Sequence, residues 1–218
     1  MFINNFDPVA FQILSFEIRW YSLAYILGIL LGWLYCKKKF IQSKILYDLF
    51  DDFITYLILG VILGGRLGYV LFYNLDYYLQ NPFEILMIWN GGMSFHGGLI
   101  GVIIASILFS KKNNLNYFIL LDLVSLAAPI GIFFGRIANF LNSELYGRET
   151  DVAWSVKFII IDNVKRHPSQ LYEAFFEGIV LFLILAHLAK KDFLKKPGLI
   201  SSIFLIFYSL FRFLVEFY

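Results

Sequence analysis

Long apolar stretches separated by short polar connections dominate this 218-residue chain. The run Trp20–Cys36 contains no charged residue, and neither does the run Met93–Ser110. A helix needs about 20 predominantly apolar residues to cross the hydrocarbon core of a bilayer. The pattern therefore predicts six transmembrane helices: Trp20–Cys36, Phe53–Tyr73, Met93–Ser110, Asn116–Leu141, Ser169–Ala189 and Pro197–Phe217.

The connections between these runs contain no repeat, low-complexity tract or Pro/Ser-rich linker, which predicts one all-α polytopic membrane domain over residues 1–218. Two connections are longer, Asn74–Gly92 and Asn142–Pro168. The first includes apolar stretches that suit the membrane interface. The second contains VAWSVKFIIID, whose alternation and β-branched residues predict a small extramembrane strand pair. We expect residues 142–168 to form a small outer-face insertion.

Composition agrees with membrane insertion, because 60% of the residues are hydrophobic, 16% are charged and the mean hydropathy is +0.72. The lysines cluster in alternate connections, which the positive-inside rule assigns to the cytoplasm, so we expect the N-terminus outside. Topology thus accounts for the net charge of +2, and no nucleic-acid partner is expected. These clusters are Lys37–Lys39 with Lys44, Lys111 with Lys112, and Lys190, Lys191, Lys195 and Lys196.

Several features limit the possible chemistry. Cys36 is the only cysteine, so no intrachain disulfide or thiolate metal cluster can form. The sequence has no HExxH, GxSxG or Gly-Lys-Ser/Thr motif, so we expect no metal and no cofactor. The segment before the first span lacks a basic start and a small-residue cleavage site, so the mature chain is expected to begin at Met1. Glycines at four-residue spacing, such as Gly60, Gly64 and Gly68, indicate close helix packing.

Polar residues in the predicted spans fall at one depth. Counted from the cytoplasmic ends at about 1.5 Å per residue, Arg66 and Arg212 lie roughly 21 and 22 Å along their helices. Arg136 lies at the outer end of its own span by the same count. Polar side chains at the outer ends of the other spans join this layer: Tyr21, His96, Gln170 and Glu173.

An arginine in a bilayer costs at least about 2.5 kcal/mol on insertion scales, so these arginines need partners or an anionic cavity. Tyr208, Arg212 and Glu216 share one helical face by their spacing, and Gln170, Glu173 and Glu177 share another. Purely structural pairing is one interpretation. The other expects fewer than three carboxylates near three cations, which leaves positive charge for a phospholipid phosphate that guanidinium groups bind well.

His96 lies in SFHGGLIG, where the glycines allow a ligand or backbone to approach closely. Imidazole is a base near neutral pH, so His96 is a candidate for proton transfer. A structural role for a lone membrane histidine is the alternative.

Five motifs resemble, in order, those of the prolipoprotein diacylglyceryl transferase family over nearly the whole chain. They are RWYSLAY at Arg19–Tyr25, GGRLGYVLFYN at Gly64–Asn74, MSFHGGLIG at Met93–Gly101, GRIANFLNSELYGR at Gly135–Arg148 and HPSQLYEA at His167–Ala174. The resemblance implies a bacterial enzyme of the cytoplasmic (inner) membrane, with its active site facing the outer leaflet among membrane lipids. It implies phosphatidylglycerol and prolipoprotein signal peptides with a lipobox cysteine as partners.

The implied reaction moves the diacylglyceryl group onto the cysteine thiol, forming a thioether and releasing glycerol phosphate. The resemblance implies a catalytic His96, an essential Arg212 and a supporting Tyr21. Four signature positions follow from the longest motif: Arg136, Asn139, Glu144 and Gly147. Tyr208 and Glu216 match the family's surroundings of the arginine. The resemblance implies seven spans, whereas this sequence stops at Tyr218, so we expect either that the sequence is truncated or that the last span is lost.

These residues suggest a mechanism in which His96 accepts the thiol proton while Arg136, Arg212 and Arg66 stabilise the phosphate. Asn139 and Glu144 would orient the site. Alternatively, His96 positions the substrate, and water or a carboxylate such as Glu173 accepts the proton.

Three rival classes remain. A small-solute transporter or channel would spread polar residues through both leaflets. A cytidine-nucleotide-dependent lipid synthase would need more than Asp51 and Asp52 to hold a metal. A purely structural protein would not need arginine, histidine and glutamate at one depth.

Overall fold

A computed structural model of the chain describes residues 2–14, 16–41, 43–190 and 195–218, so Lys191 of the predicted lysine cluster lies outside the described residues. The helices are α1 Trp20–Lys39, α2 Lys44–Tyr73, α3 Leu75–Gln80, α4 Phe95–Asn113, α5 Tyr117–Leu141, α6 Ser169–Glu173, α7 Leu181–Lys190 and α8 Leu199–Val215. A π-helical turn, Ala174–Val180, joins α6 to α7, and 3-10 turns cover Pro82–Leu86 and Ile88–Asn90. The strands are β1 Phe2–Asn4, β2 Val9–Ile13, β3 Phe16–Arg19, β4 Val156–Phe158 and β5 Lys165–Arg166.

Four helical segments within the described ranges are both long enough and apolar enough to cross a membrane: Lys44–Tyr73, Phe95–Asn113, Tyr117–Leu141 and Ser169–Ala189. This agrees with a mostly helical, multi-pass membrane protein. Helix α1 covers the first predicted span but is less apolar, and helix α8 covers the last but is shorter. The total of six spans therefore stays a prediction. The chain forms two compact units, Met1–Phe40 with Asp122–Tyr218, and Ile41–Leu121.

The helix ends follow local chemistry. Helix α2 begins nine residues before the predicted Phe53, because the Ser43 side chain accepts a hydrogen bond from the Leu46 amide and caps a polar first turn. Ser94 caps α4 in the same way, through the Gly97 amide at 3.2 Å. Helix α1 extends through Lys37–Lys39, whose charges suit the negative end of the helix dipole.

Glycines let α2 and α4 touch through their backbones in the smaller unit. A Cβ atom on Gly64 would meet the Gly97 carbonyl oxygen and come within 2.8 Å of the Gly101 Cα atom. A Cβ on Gly68 would lie 2.7 Å from the Gly97 Cα atom. Such contacts leave no room for a methyl group, so the glycine spacing reflects close packing, as the sequence predicted.

In the larger unit, α5 packs closely against α1 and holds the start of α8. A Cβ on Gly28 would lie 2.9 Å from the Gly131 Cα atom. The fully buried Asp122 carboxylate of α5 accepts hydrogen bonds at 2.8 Å from the amides of Gly198 and Ser201. A carboxylate at a helix N-terminus satisfies free amides and suits the helix dipole. Asp122 therefore fixes the register of α8, which contains Arg212.

Small sheets complete the larger unit. The predicted strand pair is found in part: β4 lies within VAWSVKFIIID, but its antiparallel partner β5 follows that stretch, with Val156 opposite Arg166. The extramembrane position of the pair stays a prediction. The sequence analysis missed the third strand, β1, which pairs parallel with β4, and the hairpin of β2 and β3. The fully buried Asn4 donates a 2.6 Å hydrogen bond to the Phe140 carbonyl, which ties β1 to the end of α5.

We expect Gly64→Ala to destabilise the protein, because the new methyl group cannot fit against α4. Overpacking of this kind costs about 1–3 kcal/mol. The measurement is the melting temperature of purified protein in detergent. Gly131→Ala is the matched control, since its Cβ would meet nothing within 4 Å and alanine is the better helix former. Equal melting temperatures for the two variants would contradict this packing.

Candidate active site

A cluster of arginines and glutamates lies inside the larger unit. Arg136 of α5 lies between two carboxylates: its Nε is 3.0 Å from Glu173 Oε2, and its Nη2 is 3.6 Å from Glu177 Oε2. The Glu173 side chain is 4% exposed and that of Glu177 is fully buried. The Tyr208 side chain of α8 also interacts electrostatically with Arg136. Three helical segments therefore converge on one guanidinium group.

Glu173 bridges to a second arginine. Its Oε1 contacts Arg212 Nη1, and Arg212 Nη2 donates a 2.8 Å hydrogen bond to Glu216 one turn further along α8. The Arg212 side chain is 42% exposed, so this end of the cluster is open. One buried carboxylate therefore fixes the separation of two guanidinium groups contributed by different helices.

The charge balance differs from the sequence expectation. One of the two interpretations expected fewer than three carboxylates near three arginines, but three glutamates surround Arg136 and Arg212. If all were ionised, this cluster would have an excess of one negative charge. The expectation was wrong because helical spacing shows which residues share a face of one helix and cannot show which residues another helix brings to it.

Tyr21 joins the signature motif of α5 in a separate polar network. Its hydroxyl donates a 2.7 Å hydrogen bond to Glu144 Oε2, and the Asn139 side-chain amide donates to the Tyr21 oxygen. The Glu144 amide donates to the Asn139 carbonyl at 2.9 Å. Three residues that the sequence motifs indicated are therefore in direct contact: Tyr21, Asn139 and Glu144.

The segment after α5 has a strained backbone. Ser143 and Leu145 have φ angles of +57° and +53°, a region that residues other than glycine rarely adopt. The start of α6 holds this segment, because Ser169 Oγ donates to the Leu145 carbonyl at 3.0 Å and Gln170 Nε2 donates to the Glu144 carbonyl at 2.6 Å. Strain of this kind persists only where the surroundings enforce it, and it clusters at functional sites.

Gly147 ends this segment, at a point where other segments of the same chain approach closely. Its amide donates to the His167 carbonyl at 3.0 Å. A Cβ atom there would lie 2.8 Å from that same oxygen and 2.5 Å from the Tyr218 carbonyl oxygen. The signature glycine is therefore explained by lack of space for a side chain.

Arg166, which the sequence analysis did not select, supports the same segment. Its guanidinium lies 4.8 Å from the centre of the Tyr146 ring and pairs with Asp162 at 2.6 Å. The hydrogen bond from Arg166 holds the pKa of the Asp162 carboxyl below its usual range. Arg166 lies outside the predicted spans, so the cost argument that singled out the other arginines did not apply to it.

Arg66, in the smaller unit, has a different environment. Arg66 is only 4% exposed, and its guanidinium lies 5.1 Å from the centre of the Tyr78 ring. All five of its N–H groups are used by main-chain carbonyls. These carbonyls are those of Glu84 at 2.6 Å, Ile85 at 2.9 Å, Met87 at 3.2 Å, Gly91 at 2.5 Å and Gly92 at 3.2 Å.

His96 is the second residue of α4, in the same unit as Arg66. It is exposed, and its ring meets the Phe95 ring edge-on at a centroid distance of 5.6 Å. The Ser94 cap fixes the start of the helix and therefore the position of His96 on its first turn.

Apolar helices of spanning length and an internal arginine–glutamate cluster define a multi-pass membrane protein with a buried ionic site. The model of the family described as prolipoprotein diacylglyceryl transferase matches residues 8–218. The chain therefore belongs to the prolipoprotein diacylglyceryl transferase family.

Individual relatives agree with this assignment, and each is named phosphatidylglycerol–prolipoprotein diacylglyceryl transferase. The protein of Rickettsia typhi is 54% identical over 99% of this chain and 85% of its own length. That of Rickettsia bellii is 52% identical over 99% of this chain and 83% of its own. That of Azospirillum brasilense is 53% identical over 97% and 81%. These matches give no support to the transporter or channel alternative.

We expect Arg66→Lys to lower the stability of the protein by about 2 kcal/mol or more, because lysine has three donors for five carbonyls and hydrogen bonds to charged groups contribute about 1.5–3 kcal/mol each. The measurement is the melting temperature, with phosphatidylglycerol affinity determined alongside.

Arg19→Lys is the control, because the Arg19 side chain is 65% exposed and its 3.4 Å pair with Glu17 is a surface contact. An Arg66→Lys protein of unchanged stability but weakened lipid binding would show instead that Arg66 is a phosphate ligand.

Proposed function

We propose that this chain transfers the diacylglyceryl group of phosphatidylglycerol to the thiol of a lipobox cysteine in prolipoproteins. The step forms a thioether and releases glycerol phosphate. The observation on which the proposal depends is the identity of 52–54% to transferases named for this lipid and this protein substrate, over nearly the whole chain. The partly open arginine pair of the larger unit suits an anionic lipid phosphate.

The chemistry requires charge stabilisation at the phosphate. The bond between the glycerol carbon and the phosphate oxygen breaks as the sulfur attacks, so negative charge grows on the departing phosphate. Fixed guanidinium groups stabilise that charge more than the charge of the starting diester. We assign this role to Arg136 and Arg212, while Arg66, whose donors all bind main-chain carbonyls, is not needed for it.

The thiol must also lose its proton. A cysteine thiol has a reference pKa near 8.5, so little thiolate is present at neutral pH and a base is needed. We assign this role to His96. Substrate positioning by His96, with water or Glu173 as the acceptor, is the alternative.

The remaining signature residues shape the site. Tyr21, Asn139 and Glu144 form one hydrogen-bonded group that orients the strained segment after α5. Gly147 allows that segment to pack closely, and Tyr208 supports Arg136. We place the protein in the bacterial cytoplasmic membrane with this site at the outer leaflet, where both substrates are available.

The direct test incubates the protein with phosphatidylglycerol and a lipobox-cysteine peptide and measures the peptide mass. We expect a gain equal to one diacylglyceryl group, and loss of that gain in His96→Gln, because glutamine cannot accept the thiol proton.

A peptide with serine in place of cysteine is the matched substrate control and should not be modified. Full activity of His96→Gln would refute the base assignment. A pH–rate profile whose acidic limb persists in that variant would favour the positioning role. Absence of any mass gain with folded wild-type protein would refute the transferase proposal.

We expect Arg136→Gln to lower kcat by about 100-fold, because loss of one fixed donor to a developing anion costs roughly 3 kcal/mol. Single-turnover kinetics with the same peptide measure the effect. The decrease in kcat should be smaller for Arg136→Lys, since lysine keeps the charge but not the planar guanidinium. A raised KM at unchanged kcat in Arg136→Gln would mean that Arg136 only binds the ground-state lipid.

A further inference from the structure

Glu177 is a buried carboxylate that lacks the usual compensation. Its side chain is fully buried, and within the described part of the chain neither of its oxygens has a hydrogen-bond partner. Among the described residues its one ion-pair partner is Arg136, at 3.6 Å. An ionised carboxylate buried without hydrogen bonds is strongly disfavoured unless a cation compensates it. The charge of Glu177 therefore depends on Arg136.

The charge balance of the cluster creates a conflict with an anionic ligand. Arg136 and Arg212 face Glu173, Glu177 and Glu216, so a fully ionised cluster already has an excess of one negative charge. A lipid phosphate that paired with Arg136 would add another in a largely apolar interior. One carboxylate must lose its charge for the anion to bind with useful affinity.

The contacts identify which carboxylate this is. Glu216 is 65% exposed and accepts a 2.8 Å hydrogen bond from Arg212, so water and the guanidinium compensate its charge. Glu173 contacts both arginines, one with each oxygen. Glu177 is fully buried and has no hydrogen-bond partner among the residues that the structure describes, and the cation it contacts there is the one that the phosphate would share.

The groups that face Glu177 come from three segments. Arg136 approaches from α5, Glu173 lies one turn earlier at the end of α6, and Tyr208 approaches from α8 and interacts electrostatically with Glu177. The π-helical turn Ala174–Val180 holds Glu177 in this position, and such turns are frequent at functional sites. Tyr208 is neutral near pH 7, so the charged groups among these neighbours of Glu177 are Arg136 and Glu173.

We propose that Glu177 takes up a proton when the phosphate of an anionic phospholipid pairs with Arg136, so that lipid binding is coupled to protonation of this buried carboxylate. The proposal rests on the proposed function, because that function supplies the anionic lipid. The proton comes from water, and the phosphate replaces the Glu177 carboxylate as the counterion of Arg136. No covalent bond changes in this step. Glu177 is a positioning residue here, since it acts on the lipid through Arg136.

The direction of the pH dependence follows from this competition. Ionised Glu177 competes with the lipid for Arg136, and protonated Glu177 does not. Raising the pH therefore weakens lipid binding. At pH values where Glu177 is ionised in the free protein, the dissociation constant of the lipid should rise by about tenfold per pH unit. Glu177→Gln mimics the protonated form, so its affinity should match that of the wild type at low pH and stay constant.

The experiment measures binding of short-chain phosphatidylglycerol to the purified full chain in detergent, without peptide, from pH 6 to 9. Isothermal titration calorimetry in buffers of different ionisation enthalpy counts the protons taken up. We expect about one proton per lipid for the wild type at the high-pH end and none for Glu177→Gln. Glu17→Gln is the matched control, because Glu17 is an exposed hairpin carboxylate paired with Arg19, and it should behave as the wild type.

Thermal stability separates this role from a structural one. Glu177→Gln removes the excess negative charge of the cluster and leaves Arg136 paired with Glu173, so its melting temperature should equal or exceed that of the wild type. A large drop would overturn the proposal, because it would show that Arg136 needs the ionised carboxylate to stay in place. The proposal also fails if wild-type binding is independent of pH over the whole range, or if the pH dependence persists in Glu177→Gln.

The outcomes are distinguishable from those of the transferase assay. Wild-type protein that modifies the lipobox peptide but binds lipid without proton uptake would refute the role of Glu177 and leave the function intact. Protein that binds phosphatidylglycerol with the expected proton uptake but never modifies the peptide would refute the function and leave the anion-linked role of Glu177.

Discussion

Burying arginine among apolar helices is the constraint on which this structure depends. A guanidinium in a low-dielectric interior is tolerated only when carboxylates or carbonyls surround it. Glu173 meets this need for two arginines at once, since one of its oxygens lies 3.0 Å from Arg136 and the other contacts Arg212. Helices α5, α6 and α8 are thereby tied together by charge, and the same contacts hold two cations beside each other.

The polypeptide around this cluster departs from regular geometry at several points. The helix containing Glu173 and Glu177 includes a π turn, and the segment after α5 has two non-glycine residues at positive φ. Side chains from α6 hold that segment through Ser169 and Gln170. A site that must present charges in a fixed arrangement needs backbone positions that regular helices do not provide, and tertiary contacts supply the stabilisation.

The arginines of this chain illustrate two solutions to one physical problem. Arg136 and Arg212 are balanced by glutamates, and the exposed side of Arg212 leaves access for another anion. Arg66 is balanced by five main-chain carbonyls and the face of Tyr78, which orders the segment between α3 and α4. A carboxylate partner can be exchanged for a phosphate or protonated, whereas a set of backbone carbonyls cannot. Residue type and depth alone therefore do not distinguish a binding arginine from a structural one.

The sequence by itself determined the membrane class, the approximate helices and the family, because hydrophobic run length and motif order are local properties of the chain. It also indicated Tyr21 and Glu173 as polar residues near one depth, and the family resemblance added Asn139 and Glu144. Only the tertiary structure decided that Glu173 bridges two arginines, that Glu177 has no hydrogen-bond partner in the described part of the chain and that all five N–H groups of Arg66 donate to carbonyls. These facts depend on how helices distant in sequence face one another, and helical periodicity contains no information about the partner helix. For the same reason the parallel pairing of β1 with β4 could not be predicted, since Phe2 and its partner Val156 are 154 positions apart in the sequence.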